Sequence, residues 1–322
     1  MKSLLTSTVF ALLATTATAD TITLYTSQPN ADAQQTVDAF IAANPDTDVE
    51  WVRDGTTKLM ARLRAEIEAG NPQPDVLLIA DTVTLEGMAQ QGLLSAYKSP
   101  EAENYDAALY SSEGFYYSTK LITTGLVYNT GVETAPTSWG DLTDAAIKGQ
   151  IAMPSPLYSG AALIHLATLT GDESLGWDYY EALAANEARA QGGNGGTFKA
   201  VASGEKPYGM VVDFLAIRNK ADGSPVEFVF PEEGVSYVTE PVAIMASAKN
   251  VEGAQKFVDF LISDKGQDLV LEMGYIPARD GMGVPEGFPA RENIELMAFD
   301  PAEALKNAES NKAKFAELFG AE

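Results

Sequence analysis

The chain has 322 residues, 46% of them hydrophobic, and carries 45 acidic against 21 basic side chains, a formal charge of −24. So much apolar material excludes a disordered chain and, at this length, points to two domains or lobes around a large core. The acidity argues against nucleic acid or an anionic membrane surface as a partner, since both need a basic footprint. With no Cys and a single His, His165, the chain has no disulfide, no thiolate nucleophile and no Cys-ligated or multi-His metal site.

Residues 1–19 read as an export signal. Lys2 supplies the positive start, Leu4 to Leu13 is apolar but too short to span a bilayer, and Ala17-Thr18-Ala19 gives a small-x-small cleavage pattern before Asp20. The mature chain is therefore expected outside the cytoplasm, in a periplasm; no Cys is available for a lipid anchor.

From Asp20 onward short β-type runs alternate with longer amphipathic ones, an α/β signature. Thr21 to Thr26 is predicted as a strand, followed by a helix with Val37, Phe40 and Ile41 on its apolar face and an end at Asn44-Pro45. Val49 to Arg53 is a second strand. Asp54-Gly55-Thr56-Thr57 opens a helix bearing Leu59, Met60, Leu63 and Ile67, ended by Gly70-Asn71-Pro72. Asp75 to Ala80 is a continuous apolar run, as expected of a strand covered on both faces. Further strands are expected at 125–128 and 150–153, with helices over 139–147 and 161–169. Tyr237 to Met245 reads as one strand leading into a helix with Ala254, Phe257, Val258 and Leu261 at helical spacing, continued through 269–273. No repeat or linker separates independent domains.

Enzyme templates find little support. The sequence holds no nucleophile elbow, no GxGxxG or P-loop spacing and no His cluster. No enzymatic role and no cofactor are expected. His165 lies within an apolar helix face and reads as a packing residue. Tyr116-Tyr117 and Tyr179-Tyr180 read as hinge and core aromatics rather than metal ligands.

Several segments together resemble the periplasmic solute-binding proteins of ABC importers, in the branch of ferric-ion, sugar-phosphate and 2-aminoethylphosphonate binders. They are the opening strand 22–28, Gly70-Asn71-Pro72-Gln73-Pro74-Asp75-Val76, Gly125-Leu126-Val127-Tyr128-Asn129, Pro154 to Ala161, and Glu252 to Leu261 with Gly266-Gln267. The resemblance spans the mature chain. It implies a type II binding-protein fold: two doubly wound α/β lobes joined by crossing hinge strands near 116–121 and 235–241, closing over a ligand. The expected lobes are 20–118 with 242–282, and 119–241 with 283–322. It also implies a monomer that docks on an inner-membrane ABC permease.

Tyr158-Ser159-Gly160-Ala161 delivers Ser159 and Gly160 to a helix start, where free N–H groups and a partial positive charge suit a phosphate or phosphonate. Ser159 could equally be only a helix cap. Gly192-Gly193-Asn194-Gly195-Gly196-Thr197 is a second anion-loop candidate or a flexible turn. In the ferric branch the counterparts of Ser159, Gly160, Ala161 and Asn194 hold a phosphate, which the resemblance carries to these residues with Gly195. Thr56 and Thr57 would add donors from the opposite wall, and Ser27 and Gln28 lie where open α/β sheets present ligands.

Where the ferric branch places adjacent tyrosines, a His and an acidic residue, this sequence has Val211-Val212-Asp213-Phe214, Pro29 and Thr56-Thr57, so no metal site is expected. An anion cradle without iron ligands points to an organophosphorus ligand. Asp213 and Glu240 are the candidate partners of an ammonium, which favours 2-aminoethylphosphonate. The structural alternative for Asp213 is a turn or hinge acid on the surface, and for Glu240 a salt bridge of the hinge strands. Tyr158, Asp81 and Tyr237 are supporting candidates. Hexose phosphates and then ferric ion are the alternative ligands.

Overall fold

The computed structural model describes residues 20–320, so the expected export signal lies outside the described residues. Strands β1 (Asp20–Thr26) and β2 (Thr47–Arg53) pair in parallel, joined by helix α1 (Asn30–Ala43). Helix α2 (Thr56–Glu68) leads to β3 (Val76–Leu78), which lies on the other side of β1. Because side chains alternate along a strand, Val76 and Leu78 face α1 with Val37 and Phe40, whereas Leu77 faces α2 with Leu59, Met60 and Leu63. Burying one such ring or aliphatic chain contributes about 1.5–3 kcal/mol. Helix α3 (Thr82–Gln90) and the short strands β4 (Leu94–Ser95) and β5 (Tyr116–Tyr117) complete this first pass.

The chain then crosses into a second sheet through β6 (Lys120–Asn129). In chain order follow β7 (Ile151–Met153), α4 (Gly160–Gly171), α5 (Gly176–Ala185), β8 (Arg189–Ala190), α6 (Asn194–Ala202), β9 (Tyr208–Val212), α7 (Asp213–Ala221), β10 (Val226–Val229) and β11 (Ser236–Val238). The sheet order is β10-β6-β9-β7-β8, with β11 also on β6. Its core gathers Trp139, Leu166, Tyr179, Tyr180 and Met210.

Strand β12 (Val242–Met245) returns to the first sheet, antiparallel to β3, β4 and β5, giving the order β2-β1-β3-β12-β4. Helices α8 (Val251–Ile262) and α9 (Asp264–Glu272), short β13 (Ile276–Pro277) and α10 (Pro301–Phe319) end the fold. The architecture is two α/β lobes, each around its own sheet and joined by crossing strands, as the sequence reading held. The crossings run side by side: the amides of Thr119 and Lys120 donate to Thr239 O at 3.1 and 3.2 Å, and Thr119 Oγ1 donates to Glu240 O at 2.7 Å.

Several local expectations are corrected. Tyr237 to Met245 is two strands, broken where Glu240 adopts φ 40° before Pro241. Residues 139–147 form two 3₁₀ turns, Trp139–Thr143 and Ala145–Ile147, because Ser138 and Asp144 each cap a new start. Ser263 caps α9 and so divides the expected single helix after 251 in two. Ile276 and Pro277 pair with Leu121 and Lys120 at the start of β6, beside the crossings. Helix α10 packs on both sides: Phe315 stands edge-on to Tyr180 with ring centroids 6.1 Å apart, while Leu305 closes on Gly87 of α3.

Candidate functional site

A cavity of about 390 Å³ lies between the lobes. One wall is built by two helix starts that face each other across the cleft. Gly55 and Thr56 begin α2 on the first lobe; Ser159, Gly160 and Ala161 begin α4 on the second. Gly193 to Gly196, at the start of α6, close the rim. Thr57 N donates to Tyr158 O at 3.2 Å and Thr57 Oγ1 to Pro156 O at 3.1 Å, so the walls are tied together. The approach is tight: a Cβ on Gly160 would meet Ala80 O at 2.6 Å and Thr56 Oγ1 at 2.8 Å.

Thr56, Gly160, Ala161 and Gly195 stand in the first turns of α2, α4 and α6, where backbone N–H groups have no acceptor within their own helix. Unpaired donors at converging helix starts, where the dipoles are positive, form an anion receptor. Ser159 caps α4 by accepting from Ala162 N at 3.3 Å, and it also accepts from Asn194 Nδ2 at 3.2 Å. Ser159 thus caps the helix, and it also lines the cavity. Asn194 spends its amide bracing the wall, since its Oδ1 accepts from Val212 N at 3.1 Å. Ser27 lines the first-lobe side, its Oγ accepting from Ala80 N at 3.0 Å, and the Tyr158 ring lies between Gly55 and Gly193.

The other wall is apolar, from Ile122, Val212, Phe214, Leu215 and Val238, with one carboxylate, Glu240. Glu240 is 3% exposed, and its Oε2 receives Lys120 Nζ at 2.5 Å and Gln28 Nε2 at 3.3 Å. Gln28 stands behind Glu240, outside the lining, and its own Oε1 is buried without a partner.

Asp213 is not brought to the cavity. As the first residue of α7 it turns inward, where Oδ2 accepts from both Thr123 N and Thr123 Oγ1 at 2.8 Å. Burial pushes its carboxyl up to about 6, against the lowering effect of those bonds. Asp81 is likewise a buried cap, accepting from Thr84 N at 3.0 Å, with its carboxyl raised by burial. Thr57, Gln28 and Tyr237 also fall outside the cavity lining. His165 is 3% exposed beneath Trp139, with Nδ1 2.8 Å from Ser236 Oγ.

Three cations escaped the sequence reading. Lys199 and Arg53 stand at the mouth: Lys199 is exposed and without an ion pair among the described residues, and Arg53 Nε donates to Gln28 O at 2.7 Å. Lys120 is buried behind Glu240. A signal existed for Lys199, five residues after Asn194 on a helix that starts in the cleft. None existed for Lys120, because its partner lies 120 positions away. Among the described residues, no group of three or more His, Cys, Asp or Glu stands together as a metal site.

A putative 2-aminoethylphosphonate-binding periplasmic protein of Salmonella typhimurium is 27% identical over 259 residues, 75% of this chain and 72% of the relative. Iron uptake protein A1 of Synechocystis is 26% identical over 273 residues, 79% of this chain and 74% of the relative. A periplasmic binding protein from Actinobacillus pleuropneumoniae, solved with exogenous fructose-6-phosphate bound, superposes with a TM-score of 0.85 at 23% identity, covering 94% of this chain and 99% of that one. The family model of the bacterial extracellular solute-binding proteins matches residues 71–304. The chain belongs to that family, as the non-enzymatic periplasmic component that delivers a solute to an ABC importer.

Proposed function

We propose that the protein binds a small organophosphorus anion, with 2-aminoethylphosphonate as the favoured member, in the cleft between its lobes for uptake through an inner-membrane permease. The observation that carries this reading is the meeting of three helix starts from both lobes, at Thr56, Gly160-Ala161 and Gly195, in one cavity that Glu240 also lines. The phosphonate oxygens would take the donors, with Lys199 and Arg53 adding positive potential at the mouth. The ammonium would meet Glu240 Oε1, and the short carbon chain would lie on Ile122, Val212 and Phe214. Asp213 has no part in this. The donors belong to different lobes, so an anion that joins them favours the closed arrangement.

A hexose phosphate would need several side-chain partners for its hydroxyls. Ser159, Ser27 and Asn194 are largely engaged with protein groups. Export into the periplasm and action as a monomer belong to the same reading. A thermal-shift panel tests it, since a ligand that binds only the folded protein raises the midpoint. 2-Aminoethylphosphonate should raise it most, ethylphosphonate less, and ferric citrate not at all. A shift with glucose 6-phosphate alone would replace the ligand and keep the cradle.

A further inference from the structure

The buried pair behind the cleft calls for a reason. Lys120 Nζ is 2.5 Å from Glu240 Oε2 and 4.2 Å from the centre of the Tyr275 ring, and Lys120 is 2% exposed. Desolvating two charges consumes much of their mutual attraction, so a buried pair is weak evidence of a stabilising role. Glu240 is also held at φ 40°, a conformation that costs a non-glycine residue energy and that concentrates at functional sites. Both residues sit at the strand crossings, Lys120 at the start of β6 and Glu240 just before β12. Only Glu240 reaches the cavity.

We infer that Lys120 is a positioning residue that sets which charge the inner end of the cleft accepts. It engages Oε2 and so turns Oε1 to the ligand, and its positive charge offsets the carboxylate, so the cleft admits one ammonium without demanding a second. Gln28 Nε2 supports the same oxygen from the first lobe, which fixes the carboxylate only when the lobes are together. This inference rests on the organophosphorus reading above.

The pair makes two opposite-signed expectations. In Lys120→Met the carboxylate stands uncompensated, and the affinity ratio of 2-aminoethylphosphonate to ethylphosphonate should rise by about tenfold. In Glu240→Gln the positive charge of Lys120, just behind the cleft, is left uncompensated. That ratio should then fall by about tenfold, while 3-phosphonopropionate gains by a similar factor over ethylphosphonate. Titration calorimetry with the three phosphonates reads both. A pair that only holds the fold together would change all three affinities by one common factor in each variant, which would overturn the inference. Should either single variant fail to fold, the double variant, which leaves no unpaired charge, is read instead. It should bind the three alike, and a retained preference for the ammonium would overturn the inference. If the unmodified protein binds none of the three, the ligand reading itself falls, and this inference with it.

Discussion

Thr57 N donates to Tyr158 O at 3.2 Å, joining the first turn of α2 on one lobe to the residue before the cap of α4 on the other. Two helix starts that would repel each other as dipoles are held face to face. An anion between them relieves that repulsion, which is the physical basis for coupling ligand binding to closure.

Gly160 is the position where this approach is tightest. Gly160→Ala should leave unliganded stability within about 0.5 kcal/mol, because alanine is the better helix former, yet lower ligand affinity at least tenfold by holding the lobes apart. Calorimetry paired with denaturant unfolding separates the two effects. Equal losses in both would show that the contact matters to the fold and not to closure.

A second interlobe contact lies beside the cavity. Arg218 of α7 reaches Asp32 of α1 at 3.1 Å, stacks on Phe214 and Tyr275, and donates to Met273 O at 2.7 Å; the Tyr275 hydroxyl also donates to Asp32. Asp32→Asn should weaken ligand binding about three- to tenfold by lowering the closed fraction, chiefly through faster ligand release. Stopped-flow dissociation checks it, and an unchanged release rate would remove Asp32–Arg218 from the closure account.

His165 gives a pH signature. Burial lowers its imidazole from 6.5 to about 3, so between those values the unfolded chain binds a proton that the folded one does not. The stability it permits is present above 6.5 and is lost as pH falls. Asp213 acts in the opposite sense. Its raised carboxyl favours the fold below the ordinary carboxylate range, and that contribution is lost as pH rises through about 6. The two partly cancel in the unmodified protein. Relative to wild type, His165→Gln should therefore gain on the order of 2–3 kcal/mol of unfolding free energy between pH 7 and pH 4.5. A difference that does not vary with pH would place His165 in solvent contact.

What could be read before the structure follows from the range of the interactions. Covered strands such as 76–78 and amphipathic α2 and α8 carry their own periodicity, so their presence was legible, while the two-lobed class came from chain length and the family resemblance. The breaks at Asp144, Ser263 and Glu240 are capping and crossing events that hydrophobic spacing does not register. At the site, Gly160 and Ser159 were visible as a helix start. Asp213 looked equally available, yet Thr123, 90 positions earlier, consumes its carboxylate once β6 pairs with β9. Lys120 was invisible for the same reason, its meaning fixed by a residue at the other crossing.

The central claim is that the cleft holds an organophosphorus anion on the facing starts of α2 and α4. Isothermal titration of the purified protein with 2-aminoethylphosphonate, with glucose 6-phosphate and ferric citrate as comparators, tests it most directly. The account predicts tight 1:1 binding of the aminophosphonate and none of ferric citrate. Heat from ferric citrate alone, with both phosphorus compounds silent, would contradict it.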